Sequence, residues 1–315
     1  MLNFLFSLNV VAPLFVLMAT GYVIRKIRFV NEDFFSQLNK LVFRFCLPLM
    51  LFQDIRTSYV GDFSNTKLIF SALIGTAVVI LLSFMIVPLL VKRKGSRGSI
   101  IQAIYRSNFL IYGLPLAQGM YNNDAVLKVS MLMCIMIPFY NVAAVIILSI
   151  FSESGKGKVT FKSVLHDIVT NPLILGCFFG LLAGILQIRL PDFIDKPLVQ
   201  FAGTAAPLAL FVMGGEFHFR SLRHNIAPVI FSTAARLLIV PIIALAIFIY
   251  MGFREVDLAV LLSIFATPAA MASYIMAKNM GNDGELSGQI VVLSTACSCV
   301  TIFFIIYFLR TWGFL

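Results

Sequence analysis

The side chains of this sequence that could do chemistry are polar or charged residues placed inside long apolar runs. Asn108 stands in the segment RSNFLIYGLPLAQG, residues 106 to 119, where a membrane helix would normally carry Leu or Val. Its amide can donate hydrogen bonds to a ligand without adding a charge. Arg236 lies near the middle of another apolar run and could offset an anion or pair with a carboxylate such as that of Glu216. Charged residues at such depth are functional candidates, because burying them in hydrocarbon is costly.

The composition places these residues in a membrane protein. Hydrophobic residues make up 60% of the chain and charged residues 12%, and the mean hydropathy is +0.97, whereas soluble domains carry about 25% charged residues. Apolar runs of roughly 20 residues, enough to cross a bilayer as a helix, follow one another along the whole sequence. They predict an all-α multi-pass membrane protein with ten transmembrane helices, at 4 to 24, 36 to 55, 66 to 91, 98 to 121, 125 to 150, 166 to 188, 196 to 217, 227 to 250, 256 to 278 and 286 to 309.

The longest connection between these spans, 152 to 163, divides the sequence into two halves, 1 to 151 and 164 to 315. Lysine and arginine are enriched in cytoplasmic loops. With the N-terminus outside, the predicted inner loops hold thirteen of these residues, and the outer loops and tail hold seven. We therefore expect a protein of the cell inner membrane with both termini extracytoplasmic and a cytoplasmic linker between the halves. The net charge of +10 is a topology signal in this interpretation, and no nucleic-acid binding is expected.

The two halves align with each other at an offset of 159 residues. PLFVLMATG at 13 to 21 aligns with PLILGCFFG at 172 to 180, and PLMLF at 48 to 52 aligns with PLALF at 207 to 211. Each half holds five predicted helices, and because five is odd, the second half must cross the bilayer in the opposite sense. Inverted repeats of this kind are typical of secondary transporters, whose binding site lies at the repeat interface near the midplane.

Prolines interrupt the fourth and the ninth predicted helix. Pro115 has no N–H, which leaves a carbonyl one turn earlier without its helical partner, and Gly113 allows the chain to turn there. Pro268 does the same to Ile264, and Thr267 is placed to cap a new half-helix that starts at Pro268. Unpaired backbone groups are tolerated at membrane depth only where they line a protein cavity. The sequence therefore predicts that helices 4 and 9 cross near the midplane, where two positive helix ends form an anion site.

A family resemblance rests on these two segments. NFLIYGLPLAQGMY, which begins at Asn108, resembles the segment N-T-L-V-M-G-I-P-L-L of plant auxin efflux carriers, and PAAMASYIMAK, which begins at Pro268, is similar to their P-Q-G-I-V-P-F-V-F-A-K. With the ten-helix layout, the resemblance covers nearly the whole chain and implies a compact prokaryotic member of the auxin efflux carrier family. Bacterial members are usually described as permeases for malate, malonate or other organic acids. Plant carriers have proline in place of Ser107 and Ser273, so the plant ligand does not transfer.

The resemblance also implies which helices form a scaffold and which form a moving transport domain. Helices 1, 2, 6 and 7 would form a scaffold that makes a homodimer, and helices 3 to 5 and 8 to 10 would form a transport domain that moves against it as an elevator. Asn108 matches the family position that hydrogen-bonds the substrate carboxylate, and Tyr112 either closes the site or faces lipid. The rest of the predicted substrate site comes from the two broken helices: Gly113, Pro115, Thr267, Pro268 and Ser273.

Other ionisable residues are open to more than one interpretation. Asp54, at the outer end of helix 2, is either an interfacial residue or a proton carrier. Arg106 is expected near the inner face, where a long side chain can reach the headgroups. Arg236, Glu216 and Asp54 are accordingly candidates for charge compensation or for coupling to Na⁺ or H⁺.

Secondary active transport of a small organic anion, such as malate or malonate, is the function that these features favour. An anion channel and a membrane-embedded receptor are the alternatives. The chain is not expected to be an enzyme or to need a cofactor or a metal. Val159 follows Lys158 where a phosphate-binding loop requires Ser or Thr, and the five cysteines lie in apolar spans without metal-ligand spacing.

Overall fold

The chain is built from α-helices. The computed structural model describes residues 13, 16 to 57, 65 to 153, 161 to 188, 190 to 216 and 225 to 315. These residues form helices and one isolated bridge between two extended residues. The helices long and apolar enough to span a membrane are Thr66–Leu90, Met131–Phe151, Asp192–Gly215 and Ile226–Tyr250, and the bent pair Gly284–Ser298 and Val300–Thr311 qualifies if taken as one span. The predicted all-α, multi-pass class is confirmed, and the count of ten spans stays a prediction.

The helices of the first half lie close to the predicted spans. The backbone is helical over 16 to 26, and the rest of the first predicted span lies outside the described residues. A π-helical turn, Val42–Cys46, joins the first two labelled helices. The helices are α1 (Glu32–Leu41), α2 (Leu47–Thr57), α3 (Thr66–Leu90), α4 (Lys94–Tyr105) and α5 (Phe109–Phe151).

The helices of the second half also follow the predicted spans. The linker predicted at 152 to 163 lies mostly outside the described residues. A second π-helical turn, Ala235–Ile239, interrupts the eighth predicted span. The helices are α6 (Phe161–Thr170), α7 (Pro172–Ile185), α8 (Asp192–Gly215), α9 (Ile226–Ala234), α10 (Val240–Tyr250), α11 (Glu255–Phe265), α12 (Met271–Asn279) and α13 (Gly284–Thr311).

Both π-helical turns, Val42–Cys46 and Ala235–Ile239, end two residues before a proline. In the second, Pro241 has no N–H, so the carbonyl one turn earlier has no regular helical partner. The helix widens there, and the N–H of Val240 donates to the carbonyl of Ala235, five residues back. Such π-bulges often occur at functional sites.

Helix α5 is helical along its whole length but cannot be straight. The hydroxyl oxygens of Ser107 and Tyr140 are 3.2 Å apart, whereas a straight helix would separate residues 109 and 140 by roughly 45 Å at 1.5 Å per residue. The chain therefore reverses between Phe109 and Tyr140, and Met131–Phe151 is the membrane-length return segment. The loop predicted at 122 to 124 is wrong, because helical backbone continues through these residues.

The helices pack in two groups. In group A, α2 packs against α7 and α8, and α1 and the helix over 16 to 26 pack against α8. In group B, α11 packs against α5 and α10, α12 packs against α13, and α4 packs against α3, α5 and α13. Fewer contacts join the groups, mainly those of α5 with α7 and of α12 with α8.

Two close backbone contacts in group A are related by the 159-residue offset of the sequence. A Cβ built on Gly21, in the helix over 16 to 26, would lie 2.0 Å from the carbonyl oxygen of Phe211. A Cβ built on Gly180 would lie 2.7 Å from the carbonyl oxygen of Phe52. The offset relates Gly21 to Gly180 and Phe52 to Phe211, so each half presents the same pair to the other. Reciprocal contacts of this kind are what a two-fold relation produces.

Polar contacts tie three chain segments together at one end of group B. The N–H of Gly95 donates to the carboxylate of Glu153 at 2.9 Å, and Arg93 donates to Glu153 and, at 3.0 Å, to Asp283. The N–H of Glu153 donates to the carbonyl of Gly281 at 2.8 Å. The hydrogen bond from Gly95, followed by that from Arg93, lowers the pKa of the exposed Glu153 carboxyl. We call these five residues the corner.

Candidate functional site

The first helix break lies earlier than the sequence predicts. Helix α4 ends at Tyr105, α5 begins at Phe109, and residues 106 to 108 between them leave the helical path. Gly113 and Pro115 lie within the helical backbone of α5, and only the backbone is described at these two positions. The predicted position is therefore wrong. The physical reason is that residues 106 to 108 pair with a distant segment, which no local pattern encodes.

The second break lies at Pro268, as predicted. Helix α11 ends at Phe265 and α12 begins at Met271, with Pro268 between them. The predicted capping by Thr267 is wrong, because its hydroxyl donates to the carbonyl of Ser263 at 2.9 Å and the new helix starts four residues later.

The two breaks meet in an antiparallel bridge between Ser107 and Ala269. We call residues 106 to 108 and 266 to 270 the crossover. The bridge uses backbone groups that each break has withdrawn from its helix. Its two hydrogen bonds run from the Asn108 N–H to the Pro268 carbonyl (2.8 Å) and from the Ala270 N–H to the Arg106 carbonyl (3.1 Å).

Arg236 reaches the crossover from the second π-helical turn and is almost completely buried, with 1% of its surface exposed. Its guanidinium donates to backbone carbonyls near the ends of α4 and α11. These are Ile104 (3.1 Å) and Tyr105 (3.3 Å) from Nη1, Thr267 (2.8 Å) from Nε and Ile264 (2.8 Å) from Nη2. The Ile264 carbonyl is the one that Pro268 is predicted to free. Arg236 therefore replaces missing helical donors at both breaks and faces the negative end of each helix.

Glu216, considered from the sequence as a partner of Arg236, binds other residues. It ends α8 and accepts from the hydroxyl of Tyr274 and the ammonium of Lys278, both on α12. Nearby, Nδ2 of Asn279 donates to Oδ1 of Asn39 at 2.7 Å. All of these contacts join group A to group B, so the pairing of Glu216 with Arg236 is wrong.

A cleft of about 620 Å³ lies beside these contacts. Its group A wall includes Arg25 and Glu216, and its group B wall includes Arg93, Tyr274 and Lys278. Because Tyr274 is in the first turn of α12, the cleft extends from the group boundary to the helix that starts at the crossover.

Two buried polar atoms beside the crossover, Nδ2 of Asn108 and Oγ of Ser273, have no hydrogen-bond partner among the described residues. Asn108 is 5% exposed and Ser273 is fully buried. Asn108 occupies the N-cap position of α5 without a side-chain capping bond, and Ser273 lies in the first turn of α12. A buried polar group without a partner costs about 1 to 3 kcal/mol, so a ligand that pairs with both atoms would be favoured here. Tyr112 is buried, which excludes the alternative that it faces lipid.

The sequence predicts that Arg106 reaches the headgroups, and this prediction is wrong. Arg106 lies buried at the crossover with 5% of its surface exposed. Its Nη2 donates to Oδ1 of Asn141 at 2.7 Å, and its Nη1 contacts Sδ of Met276 at 2.6 Å. The Gln102 amide satisfies its neighbouring donors and acceptors when its oxygen faces Arg106. That oxygen then accepts from Nη1 of Arg106 at 3.2 Å. All three partners are neutral. Within the described part of the chain, neither Arg106 nor Arg236 forms an ion pair.

Asp54 is partly buried on α2, which belongs to group A. The crossover contacts described above come from group B helices and do not include it. Its role as a proton carrier stays a prediction.

Comparisons with known proteins match the chain to membrane transport proteins. The sequence model of a family described as "Membrane transport protein" matches residues 6–306. An "Uncharacterized transporter" of Methanothermobacter thermautotrophicus is 24% identical over 314 residues, covering 95% of this chain and 97% of that protein. A "Putative malonate transporter" of Rhizobium meliloti is 21% identical over 307 residues, covering 96% of each chain.

Proposed function

Because the chain belongs to the membrane transport protein family, which includes the auxin efflux carriers, we propose that it is a secondary active transporter of a small organic anion. The substrate class is a carboxylate such as malonate or malate. A relative at low identity carries malonate in its name, which makes this acid the first to test.

The observation that carries the proposal is the pair of unpartnered atoms at the crossover. Nδ2 of Asn108 and Oγ of Ser273 can each donate a hydrogen bond, and a carboxylate offers two acceptor oxygens. Both lie at the start of a helix, where the backbone dipoles favour negative charge. The charged residues that contact the crossover, Arg106 and Arg236, are cations. A cation would be repelled by these two charges, and a neutral apolar solute would leave the two donors without acceptors.

We further propose that group A is the scaffold and group B the transport domain of an elevator. The two groups share few contacts, and the cleft opens along their boundary. The reciprocal contacts of Gly21 with Phe211 and of Gly180 with Phe52 support two inverted repeats. Moving group B past group A would carry the crossover from one side of the membrane to the other without dismantling it.

The remaining parts of the proposal follow from the sequence and the family. The protein would form a homodimer through group A in the cell inner membrane, with both termini extracytoplasmic. Coupling to Na⁺ or H⁺, with Asp54 as one candidate, would drive accumulation. The relatives are named as transporters, which supports a carrier over an enzyme or a receptor.

Transport by the purified protein in proteoliposomes tests the proposal. We expect saturable uptake of at least one acid from a panel of acetate, pyruvate, malonate, succinate and malate, accelerated by the same acid inside the vesicle. Imposed Na⁺ and pH gradients identify the coupling ion. A flux that rises linearly with concentration and shows no acceleration would identify a channel, and no flux or binding of any acid would overturn the proposed function.

A further inference from the structure

The two arginines at the crossover differ in how their hydrogen-bonding capacity is used. Arg236 donates from all three of its nitrogens to four backbone carbonyls, and these belong to helix ends that would otherwise lack donors. Removing those contacts to bind a solute would expose the helix ends again. Arg106 instead contacts an amide oxygen of Asn141 and the thioether of Met276. A thioether is a weak acceptor and can be given up at little cost.

We propose that Arg106, and not Arg236, pairs with the substrate carboxylate and so makes the site selective for anions. In this arrangement Asn141 holds one side of the guanidinium, and Met276 occupies the side that the substrate takes over. The inference rests on the proposed function, because it assigns a residue to the selectivity of that same site.

The surroundings of Arg106 place it beside the unpartnered atoms. Met276 follows Ser273 by three residues on α12, so the two side chains share a face of that helix. The Gln102 amide links Arg106 to Ser273, since its oxygen accepts from Arg106 and its nitrogen donates to the carbonyl of Ser273 at 3.3 Å. Asn108 is two residues from Arg106 in the same bridged segment. One carboxylate can therefore be met by a cation and by neutral donors from both broken helices.

Charge balance gives the same assignment. Burying a cation is strongly unfavourable unless an anion or a full set of acceptors compensates. Arg236 has its acceptors in the protein, whereas Arg106 has two side-chain oxygens and one sulfur. Within the described residues no carboxylate pairs with Arg106, so an entering anion would supply the missing charge.

Binding of an acid and of its neutral amide distinguishes this role from a structural one. Malonate and malonamide serve as the probes, or the panel acid that binds most tightly and its amide, with calorimetry on the purified protein in detergent. Arg106→Met removes the charge and keeps a long unbranched side chain, and Arg106→Lys restores the charge. Arg56→Met, which breaks a pair with Asp195 in group A, is the matched control.

We expect Arg106→Met to weaken malonate binding at least tenfold and to leave malonamide binding within threefold of wild type. Arg106→Lys should regain most of the loss, and Arg56→Met should bind malonate as wild type does. If Arg106→Met does not fold, Arg106→Gln makes the same comparison. Unchanged malonate binding in the charge-removing variant, or an equal loss for malonamide, overturns the assignment. A wild-type protein that binds no acid of the panel overturns the proposed function instead.

Discussion

At the scale of single residues, the sequence identifies several polar groups of the site but not how each of them is used. Asn108 and Ser273 are candidates from their positions alone, and both prove to be buried with an unpartnered atom. Arg236 also stands out, because a charge in the middle of an apolar run needs compensation. Its partners could not be predicted, since backbone carbonyls leave no trace in the sequence. Arg106 is missed for a related reason, because its depth depends on where the helix breaks.

Replacing Arg236 should destabilise the protein more than replacing an exposed arginine. Arg236→Met leaves buried carbonyls of two helix ends without donors, and we expect a loss of at least about 3 kcal/mol in the free energy of unfolding. Arg236→Lys should lie between this variant and wild type, because an ammonium has three donors but cannot span both ends. Thermal unfolding in detergent measures the order. Equal midpoints for wild type and Arg236→Met would show that the crossover does not depend on this side chain.

Asn108→Asp tests the carboxylate-binding role with almost no change in volume. The new carboxylate repels an anionic substrate and removes a hydrogen bond worth about 1.5 to 3 kcal/mol to a charged group, so binding should weaken at least tenfold. Asn171→Asp is a suitable control, because Asn171 caps α7 by accepting a hydrogen bond, which Asp can also do. Calorimetric titration with the transported acid measures both variants. Wild-type affinity in Asn108→Asp would remove Asn108 from the substrate site.

At the scale of helices, hydrophobic length predicts the elements well and local sequence predicts their interruptions only in part. The ends of α3, α8 and α13 lie within a few residues of the predicted spans, because each is set by the length of an apolar run. The break at Pro268 is visible, since a missing N–H acts on its own helix. The break at 106 to 108 is not, because it depends on pairing with Ala269, more than 160 residues away.

Pro268→Ala should impair transport more than folding. Alanine restores an N–H, which can bond to the carbonyl of Ile264 and compete with Arg236. Helix α11 could then continue past Phe265 and pull the segment away from Asn108. We expect transport in proteoliposomes to fall at least tenfold while the variant still purifies as a folded protein. Wild-type transport by this variant would mean that the break does not require proline.

The corner should make a small, pH-dependent contribution to stability. The folded protein lowers the pKa of the Glu153 carboxyl, so the contribution is present above the ordinary pKa of glutamate and is lost as the pH falls through the lowered value. Because Glu153 is exposed, solvent screening limits the effect to about 1 kcal/mol or less. Glu153→Gln should lower the thermal midpoint slightly at pH 7 and converge with wild type in acid. A difference that grows on acidification would contradict this sign.

At the scale of the whole molecule, polar contacts cross the boundary between groups A and B. Glu216 with Lys278, and Asn39 with Asn279, are among the contacts that would have to separate if group B moved. Hydrophobic pattern could not predict this boundary, since both groups consist of apolar helices. The proposed division into a scaffold and a transport domain rests on the family resemblance and on the separate packing of groups A and B among the described helices.

A cross-link across this boundary should stop transport and spare binding. In a variant without the native cysteines, Asn39→Cys with Asn279→Cys places two thiols where the amides are now 2.7 Å apart. Hg²⁺ should join them, abolish uptake in proteoliposomes and leave acid binding within a few fold, and excess thiol should restore uptake. Each single cysteine variant is the control. Full transport by the cross-linked protein would show that the two groups do not move apart at this point.

The hydrogen bonds of Arg236 also make the crossover asymmetric. The glycine contacts of group A are matched in both halves, but at the offset of 159 residues the counterpart of Arg236 is Ala77. Only the second half thus supplies this cation to both helix ends. Arg236 binds backbone carbonyls at the crossover, whereas Arg106 contacts Met276. If the two halves are inverted repeats, as proposed above, their contributions to the crossover are therefore unequal, and a solute bound there would meet different side chains from each half.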